Sequence, residues 1–267
     1  MDSGISLLGQ LDALTLVLVA LAAFSTALFH SVAGFAGALL LSVCLAPLIG
    51  IRAVVPVVAF AMIISNINRI FLFREAIEWK AYRAIMITAL PGIVTGAIVY
   101  LFLPLRAIAV VMGCFLLLSI PLRRVFKKHN YKVGYRGLSV VGIVYGLISG
   151  TVFGGGMILG PFFLGAGIVG QSLVGTVAAL GLTLNVTKSI VFSAGSLLDR
   201  ELISLGLLVG ACTIPGGALG KWIVKNTDIE VHTIIVEALM FAGGCYFLYQ
   251  GFFYTSCLTQ TAAGFLP

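Results

Sequence analysis

Charged residues are scarce in this chain of 267 residues, where Asp, Glu, Lys and Arg together make up only 9%. Soluble domains carry about 25% charged residues, so the composition excludes an ordinary soluble domain. Hydrophobic residues make up 60%, which also excludes an intrinsically disordered chain. Together with a mean hydropathy of +1.15, these values indicate a polytopic membrane protein.

Signatures of catalysis and of cofactor binding are also lacking. The five cysteines include no CxxC pair, and no His, Cys or Asp cluster has the spacing of a metal site. Walker motifs for nucleotide binding are absent. Glu237 is the only acidic residue inside an apolar segment, which argues against a Ser-His-Asp triad. We therefore predict neither an enzyme nor a protein with a cofactor or metal.

Ten apolar stretches are present, and short polar or Gly-containing turns separate them. A membrane-spanning helix needs about 20 apolar residues, so the chain has room for eight to ten membrane segments. Strand-length alternation is absent, so we predict an all-α polytopic membrane protein. The stretches are 13–30, 34–49, 52–73, 82–102, 105–122, 137–151, 156–168, 172–194, 202–222 and 232–253.

Basic residues concentrate in the loop 123–136, which holds six of the sixteen Lys and Arg residues. Basic loops beside membrane helices face the cytoplasm, so this cluster predicts orientation rather than nucleic-acid binding. With this loop inside, eleven basic residues lie on the cytoplasmic side and three on the other. We predict a multi-pass protein of the cell inner membrane with both termini external. The N-terminus lacks Lys and Arg, so a retained membrane segment is expected there rather than a signal peptide.

Two Gly-rich breaks interrupt apolar stretches at comparable places in the two halves of the chain. One runs from His30 to Gly37, and the other from Thr151 to Gly156. Each break predicts a helical hairpin with its tip inside the membrane, where non-helical backbone must be packed in protein or line a polar cavity. Both a full crossing and a shallow dip of each hairpin are compatible with this pattern.

Further pairs of similar segments follow the breaks in the same order and indicate an internal repeat. The segment 66–69 (NINR) matches 185–188 (NVTK), and 91–96 (PGIVTG) matches 215–220 (PGGALG). A hairpin plus three crossings per half makes the second half upside down relative to the first. We predict a first repeat at 1–122, the basic loop at 123–136 and a second repeat at 137–267. Inverted repeats with broken helices are typical of secondary transporters, which bind substrate at the repeat interface.

Two cations within the apolar segments, Arg69 and Lys188, hold matching positions in these repeats. Each follows an Asn by three residues, which places Asn66 with Arg69 and Asn185 with Lys188 on one helix face. Amides beside a cation suit an anion, although either cation alone is also compatible with snorkelling to the headgroups. The predicted substrate-binding set is Arg69, Lys188, Asn66, Asn68, Asn185, Thr187, Gly37, Gly154, Gly155, Gly156 and His30.

The glycines of this set would bring backbone N–H groups at helix N-termini to the anion. Close helix packing is the alternative interpretation of Gly154, Gly155 and Gly156. For His30 the alternatives are a proton carrier and a structural hydrogen-bonded histidine. Kinking and packing of helices are the expected roles of the two PGxxxG segments.

The Gly-rich broken helix near the N-terminus, together with TVFGGGMILGPFFL, NVTK and PGGALGK in the second half, resembles the TauE/SafE family of sulfite exporter-like permeases. The resemblance covers about residues 14–253, although the first half has GFAG where the second has FGGG. It implies a membrane permease for sulfite, organosulfonates or related sulfur-containing anions. The expected partners are the small anion, membrane lipids and a coupling ion, either proton or sodium. A permease for another small anion or metabolite and a non-transporting assembly factor are the alternatives.

Overall fold

The computed structural model describes residues 13–33, 37–128, 133–153, 156–224 and 229–254. Within these ranges the secondary structure is helical and no strand occurs, which confirms the predicted all-α class. A 3-10 turn at Arg74–Ala76 follows α3, and a π-helical turn at Gln250–Tyr254 follows α10. The α-helices are α1 (Ala13–Ala33), α2 (Gly37–Ile49), α3 (Ile51–Phe73), α4 (Trp79–Phe102), α5 (Leu105–Lys128), α6 (Tyr135–Thr151), α7 (Gly156–Gly165), α8 (Gly170–Ala194), α9 (Arg200–Val224) and α10 (Ile229–Tyr249).

Each of the ten apolar stretches corresponds to one of these helices, and the largest difference lies at the basic loop. The sequence predicted a loop over 123–136, whereas α5 continues to Lys128 and α6 begins at Tyr135. Arg and Lys are good helix formers, and a basic last turn interacts favourably with the C-terminal end of the helix dipole. The helix end predicted from hydropathy is therefore too early, because the helix continues after its apolar part has ended.

Four helices among the described residues are long and apolar enough to cross a membrane, at Ile51–Ala76, Trp79–Phe102, Gly170–Ala194 and Arg200–Leu219. Large apolar side chains such as Phe71, Ile87 and Phe102 are exposed on the surface of the protein, as contact with lipid requires. At about 1.5 Å per residue, α2 reaches roughly 20 Å and α7 roughly 15 Å. Both are therefore shorter than a hydrocarbon core of about 30 Å.

Several helices of each half of the chain pack on helices of the other half. The first helix of each half packs on the fourth helix of the other half, so α1 contacts α9 and α6 contacts α4. In the same way α3 contacts α9 and α8 contacts α4. Two further contacts join equivalent helices, α3 with α8 and α5 with α10. Neither half is therefore a separate folding unit.

The directions of these helices follow from which residues meet. Gly181 and Gly175 of α8 lie against Asn66 and Phe73 of α3, so these two helices are antiparallel. Gly206 and Gly210 of α9 lie against the 57–60 and 61–64 turns of α3, so α9 and α3 are parallel. An inverted repeat requires opposite directions for equivalent helices such as α3 and α8. The repeat, with its bounds 1–122 and 137–267, stays a prediction that these directions support.

Glycines bring the backbones of α4 and α6 together. A Cβ atom at Gly92 would lie 2.8 Å from the backbone nitrogen of Leu147, and one at Gly96 would lie 2.7 Å from the Leu147 carbonyl oxygen. From the other side, Gly146 and Gly150 face backbone atoms of α4 in the same manner. The packing role predicted for the PGxxxG segment of α4 is confirmed. Small residues on both faces allow two helices to approach to backbone contact.

Candidate functional site

Lys188 is a fully buried cation in α8, with 0% of its surface exposed. Its Nζ donates a hydrogen bond of 3.0 Å to the carbonyl oxygen of Ser149. Ser149 belongs to the last turn of α6, where helix carbonyls have no partner within their own helix. Lys188 therefore caps the C-terminal end of α6, where the helix dipole favours positive charge.

Two aromatic rings also lie near this ammonium group. Its Nζ lies 4.3 Å from the ring centroid of Phe153 and 5.9 Å from that of Phe192. Both distances are within the range of cation–π attraction. Within the described part of the chain, no carboxylate forms an ion pair with Lys188. A buried cation without a counter-charge is costly, so the site favours a negatively charged ligand.

Asn185 lies one helical turn before Lys188 and is also buried, with 4% exposure. Its Nδ2 donates a hydrogen bond of 2.7 Å to the carbonyl oxygen of Gly181. The other end of the amide, Oδ1, is buried and has no hydrogen-bond partner among the described residues. The hydroxyl of Ser189, which follows Lys188, lacks a partner in the same way. Polar atoms without partners therefore accompany the cation.

The equivalent residues of the first half, Asn66 and Arg69, are buried in α3. Only 7% of Arg69 is exposed, so Arg69 and Lys188 both lie inside the protein rather than at a lipid-facing surface from which they could snorkel. Asn66 packs on α8, since a Cβ at Gly181 would lie 2.8 Å from its Nδ2. Asn66 therefore lies next to Gly181, whose carbonyl oxygen accepts the hydrogen bond from Asn185.

The two cations do not meet at one level of this crossing. Asn66 lies opposite Gly181 in the antiparallel pair, so Arg69 lies near the level of residue 178. Lys188 is ten residues farther along α8, which corresponds to roughly 15 Å at about 1.5 Å per residue. The Lys188 side chain also contacts Phe192, still farther along the helix. Arg69 and Lys188 therefore lie at two separate positions along the crossing of α3 and α8.

The remaining predicted residues fall into different surroundings. Asn68 is half-buried. The hydroxyl of Thr187 donates a hydrogen bond of 2.8 Å to the carbonyl oxygen of Thr183, so this donor is already used within α8. Gly37 begins α2 and Gly156 begins α7, which confirms that a helix starts after each break. His30 lies in α1, but its side chain is outside the described part of the structure. Gly154 and Gly155 lie outside the described residues, so their roles, like that of His30, stay predictions.

Four contributors to the Lys188 site were not predicted from the sequence. Ser149 precedes the second break and Phe153 lies within it, while Ser189 and Phe192 follow Lys188 on α8. Ser189 could have been predicted as a site residue because it directly follows Lys188 in the sequence. Phe153 could have been predicted because it directly precedes the glycines at 154–156. Nothing in the sequence pairs Ser149 with Lys188. Across the described ranges, no three His, Cys, Asp or Glu side chains group closely enough to hold a metal ion.

Comparison with known proteins places this arrangement in a family. The family model described as sulfite exporter TauE/SafE matches residues 19–247, which is nearly the whole chain. No curated protein and no solved structure matches the chain. The match includes both Gly-rich breaks and both helices that carry the buried cations.

Proposed function

The chain belongs to the sulfite exporter TauE/SafE family of membrane permeases, and we propose that its substrate is a small sulfur-containing anion such as sulfite or an organosulfonate. Transport is either driven by a gradient, with a proton or sodium as coupling ion, or facilitative. The protein lies in the cell inner membrane with the segment 123–136 in the cytoplasm and both termini outside. The positive-inside distribution of Lys and Arg supports this orientation.

The observation that carries this proposal is the buried ammonium of Lys188, whose neighbours in the described part of the chain are a helix carbonyl and two rings, without a carboxylate. An anion beside Nζ supplies the missing counter-charge and accepts the remaining N–H donors of the lysine. The start of α7 at Gly156 provides backbone N–H groups and the positive end of a helix dipole for the same ligand. In the first half, Arg69 on α3 and the start of α2 at Gly37 hold the corresponding positions.

A binding screen on the purified protein tests this proposal. Sulfite, sulfoacetate, taurine, thiosulfate and an aryl sulfonate are titrated into the wild-type protein and into Lys188→Gln. We expect at least one of them to bind the wild type, and its affinity to fall in the variant by about 2–5 kcal/mol, as expected when a buried charge contact is lost.

Lys80→Gln is the matched control, because Lys80 is an exposed lysine at the start of α4. Its affinity should equal that of the wild type, and the same ligand should be taken up by proteoliposomes that contain either protein. Equal affinities for wild type and Lys188→Gln would exclude Lys188 from the site. Failure of the whole panel to bind or to be transported would contradict the substrate class.

A further inference from the structure

The amide of Asn185, one helical turn before Lys188, has a defined orientation. Its Nδ2 donates to the Gly181 carbonyl at 2.7 Å, and a carbonyl oxygen can only accept a hydrogen bond. The NH₂ end must therefore face Gly181, which directs Oδ1 away from that carbonyl. This oxygen is buried without a hydrogen-bond partner among the described residues. Asn185 thus presents an acceptor that lacks a donor.

The position of this acceptor relates it to the cation. Spacing of i, i+3 places Asn185 and Lys188 on the same face of α8, and Ser189 with its unpartnered hydroxyl follows directly. Buried polar atoms are nearly always hydrogen-bonded. An acceptor and a cation on one helix face, neither of which has a suitable partner among the described residues, therefore point to a ligand that satisfies both. Lys188 requires negative charge on that ligand, whereas Asn185 Oδ1 requires an N–H or O–H group.

We infer that the Lys188 site selects singly charged oxyanions that carry a hydrogen-bond donor on the central atom, as sulfamate and hydrogensulfite do. This inference rests on the proposed function and specifies its substrate class. An anion with acceptor atoms alone satisfies Lys188 and the Ser189 hydroxyl, but it leaves Oδ1 without a donor or directs lone pairs against it. An anion with one N–H or O–H group pairs with Lys188 and with Asn185 together.

Sulfamate and methanesulfonate form a matched pair of probes for this selectivity. Both are singly charged near neutral pH and similar in size, and they differ in an NH₂ group against a CH₃ group. Titration calorimetry of the purified wild-type protein should give sulfamate a Kd about tenfold lower, as one hydrogen bond to a buried acceptor predicts. Asn185→Leu should remove this preference mainly by weakening sulfamate, whereas Gln171→Leu, at an exposed position in the first turn of α8, should keep it.

Each result of this experiment separates the inference from the proposed function. Equal Kd values in the wild type, or a preference that survives in folded Asn185→Leu protein, overturn the donor requirement. Absence of binding by both probes overturns it as well. If Asn185→Leu does not fold, the wild-type comparison decides alone. If Lys188→Gln weakens both probes while neither is preferred by the wild type, the anion site stands and only the donor requirement fails.

Discussion

The ammonium nitrogen of Lys188 lies 4.3 Å from the ring centroid of Phe153, a residue of the link between α6 and α7. This ring helps to keep Lys188 from the surface. Phe192, the second ring near the ammonium, lies within α8 and packs on Tyr100 with 5.3 Å between centroids. Phe153 lies within the second Gly-rich break, after the end of α6, so it is the ring that no regular helix holds in place.

Phe153→Ala should therefore open a path to position 188. In a background without native cysteines, Lys188→Cys should react at least about tenfold faster with an anionic thiol reagent when Phe153→Ala is also present, because loss of a buried ring leaves space. Phe163→Ala, which removes a buried ring from the separate cluster around α4, α6 and α7, is the control. Equal labelling rates with and without Phe153→Ala would show that another element covers the lysine.

Lys188→Met tests whether the lysine serves the ligand or the fold. Replacing a buried charge by an apolar side chain of similar length is often neutral or stabilising. We expect the Tm to stay the same or to rise, while anion binding is lost. Thermal unfolding in detergent, measured beside anion titration, checks both effects. A large fall in Tm would instead identify the bond to the Ser149 carbonyl as the main role of Lys188.

Arg69 and Lys188 should act independently, since the register of α3 and α8 separates them by roughly 15 Å. In a double-mutant cycle with Arg69→Gln and Lys188→Gln, the losses of anion affinity should add to within about 0.5 kcal/mol. The measurement is the Kd of the best ligand for the wild type, both single variants and the double variant. A coupling above about 1 kcal/mol would mean that one anion contacts both cations.

Gly146→Ala should destabilise the protein strongly. Its new Cβ would meet backbone atoms of Ala89, which cannot rotate away as a side chain would. Overpacking typically costs about 1–3 kcal/mol, and contact with a helix backbone belongs at the upper end of that range. Gly134→Ala is the control, because a Cβ there meets nothing within 4 Å and φ is −85°. Similar Tm values for both variants would contradict tight packing between α4 and α6.

The predicted orientation can be read from cysteine labelling in intact cells. Lys80 and Arg200 are both exposed, at the beginnings of α4 and α9, and the positive-inside rule places them on opposite sides. In a cysteine-free background, an impermeant thiol reagent should label Arg200→Cys before lysis and Lys80→Cys only after it. The reverse pattern would invert the topology and place both termini in the cytoplasm.

The helices could be predicted from the sequence because hydropathy and Gly-rich breaks act locally. The helix starts at Gly37 and Gly156 follow from the local sequence, and so does the placement of Arg69 and Lys188 on faces that also carry an Asn. Their burial does not, because snorkelling to the headgroups was equally compatible with the position of each cation. The bond between Lys188 and Ser149 depends on how two distant helices pack, which periodicity does not specify. The difference in level between Arg69 and Lys188 likewise depends on the register of α3 against α8.

Glycines line one face of α6. Gly142, Gly146 and Gly150 recur every four residues along α6, and this spacing lines one face of a helix with glycine. The partner face on α6 could therefore have been identified before the structure was known, although not the helix that it contacts.

The exchange of helix partners between the halves has a consequence for how the protein is made. The ribosome completes α1 long before α9, and α4 before α6, yet each earlier helix packs on the later one. Until synthesis reaches the partner, the glycine-lined face of α4 must rest against lipid or the insertion machinery. If the polypeptide is cut between α5 and α6, it should consequently fold only when both fragments are inserted into the same bilayer. The reason is that each fragment supplies the fourth helix on which the first helix of the other fragment packs.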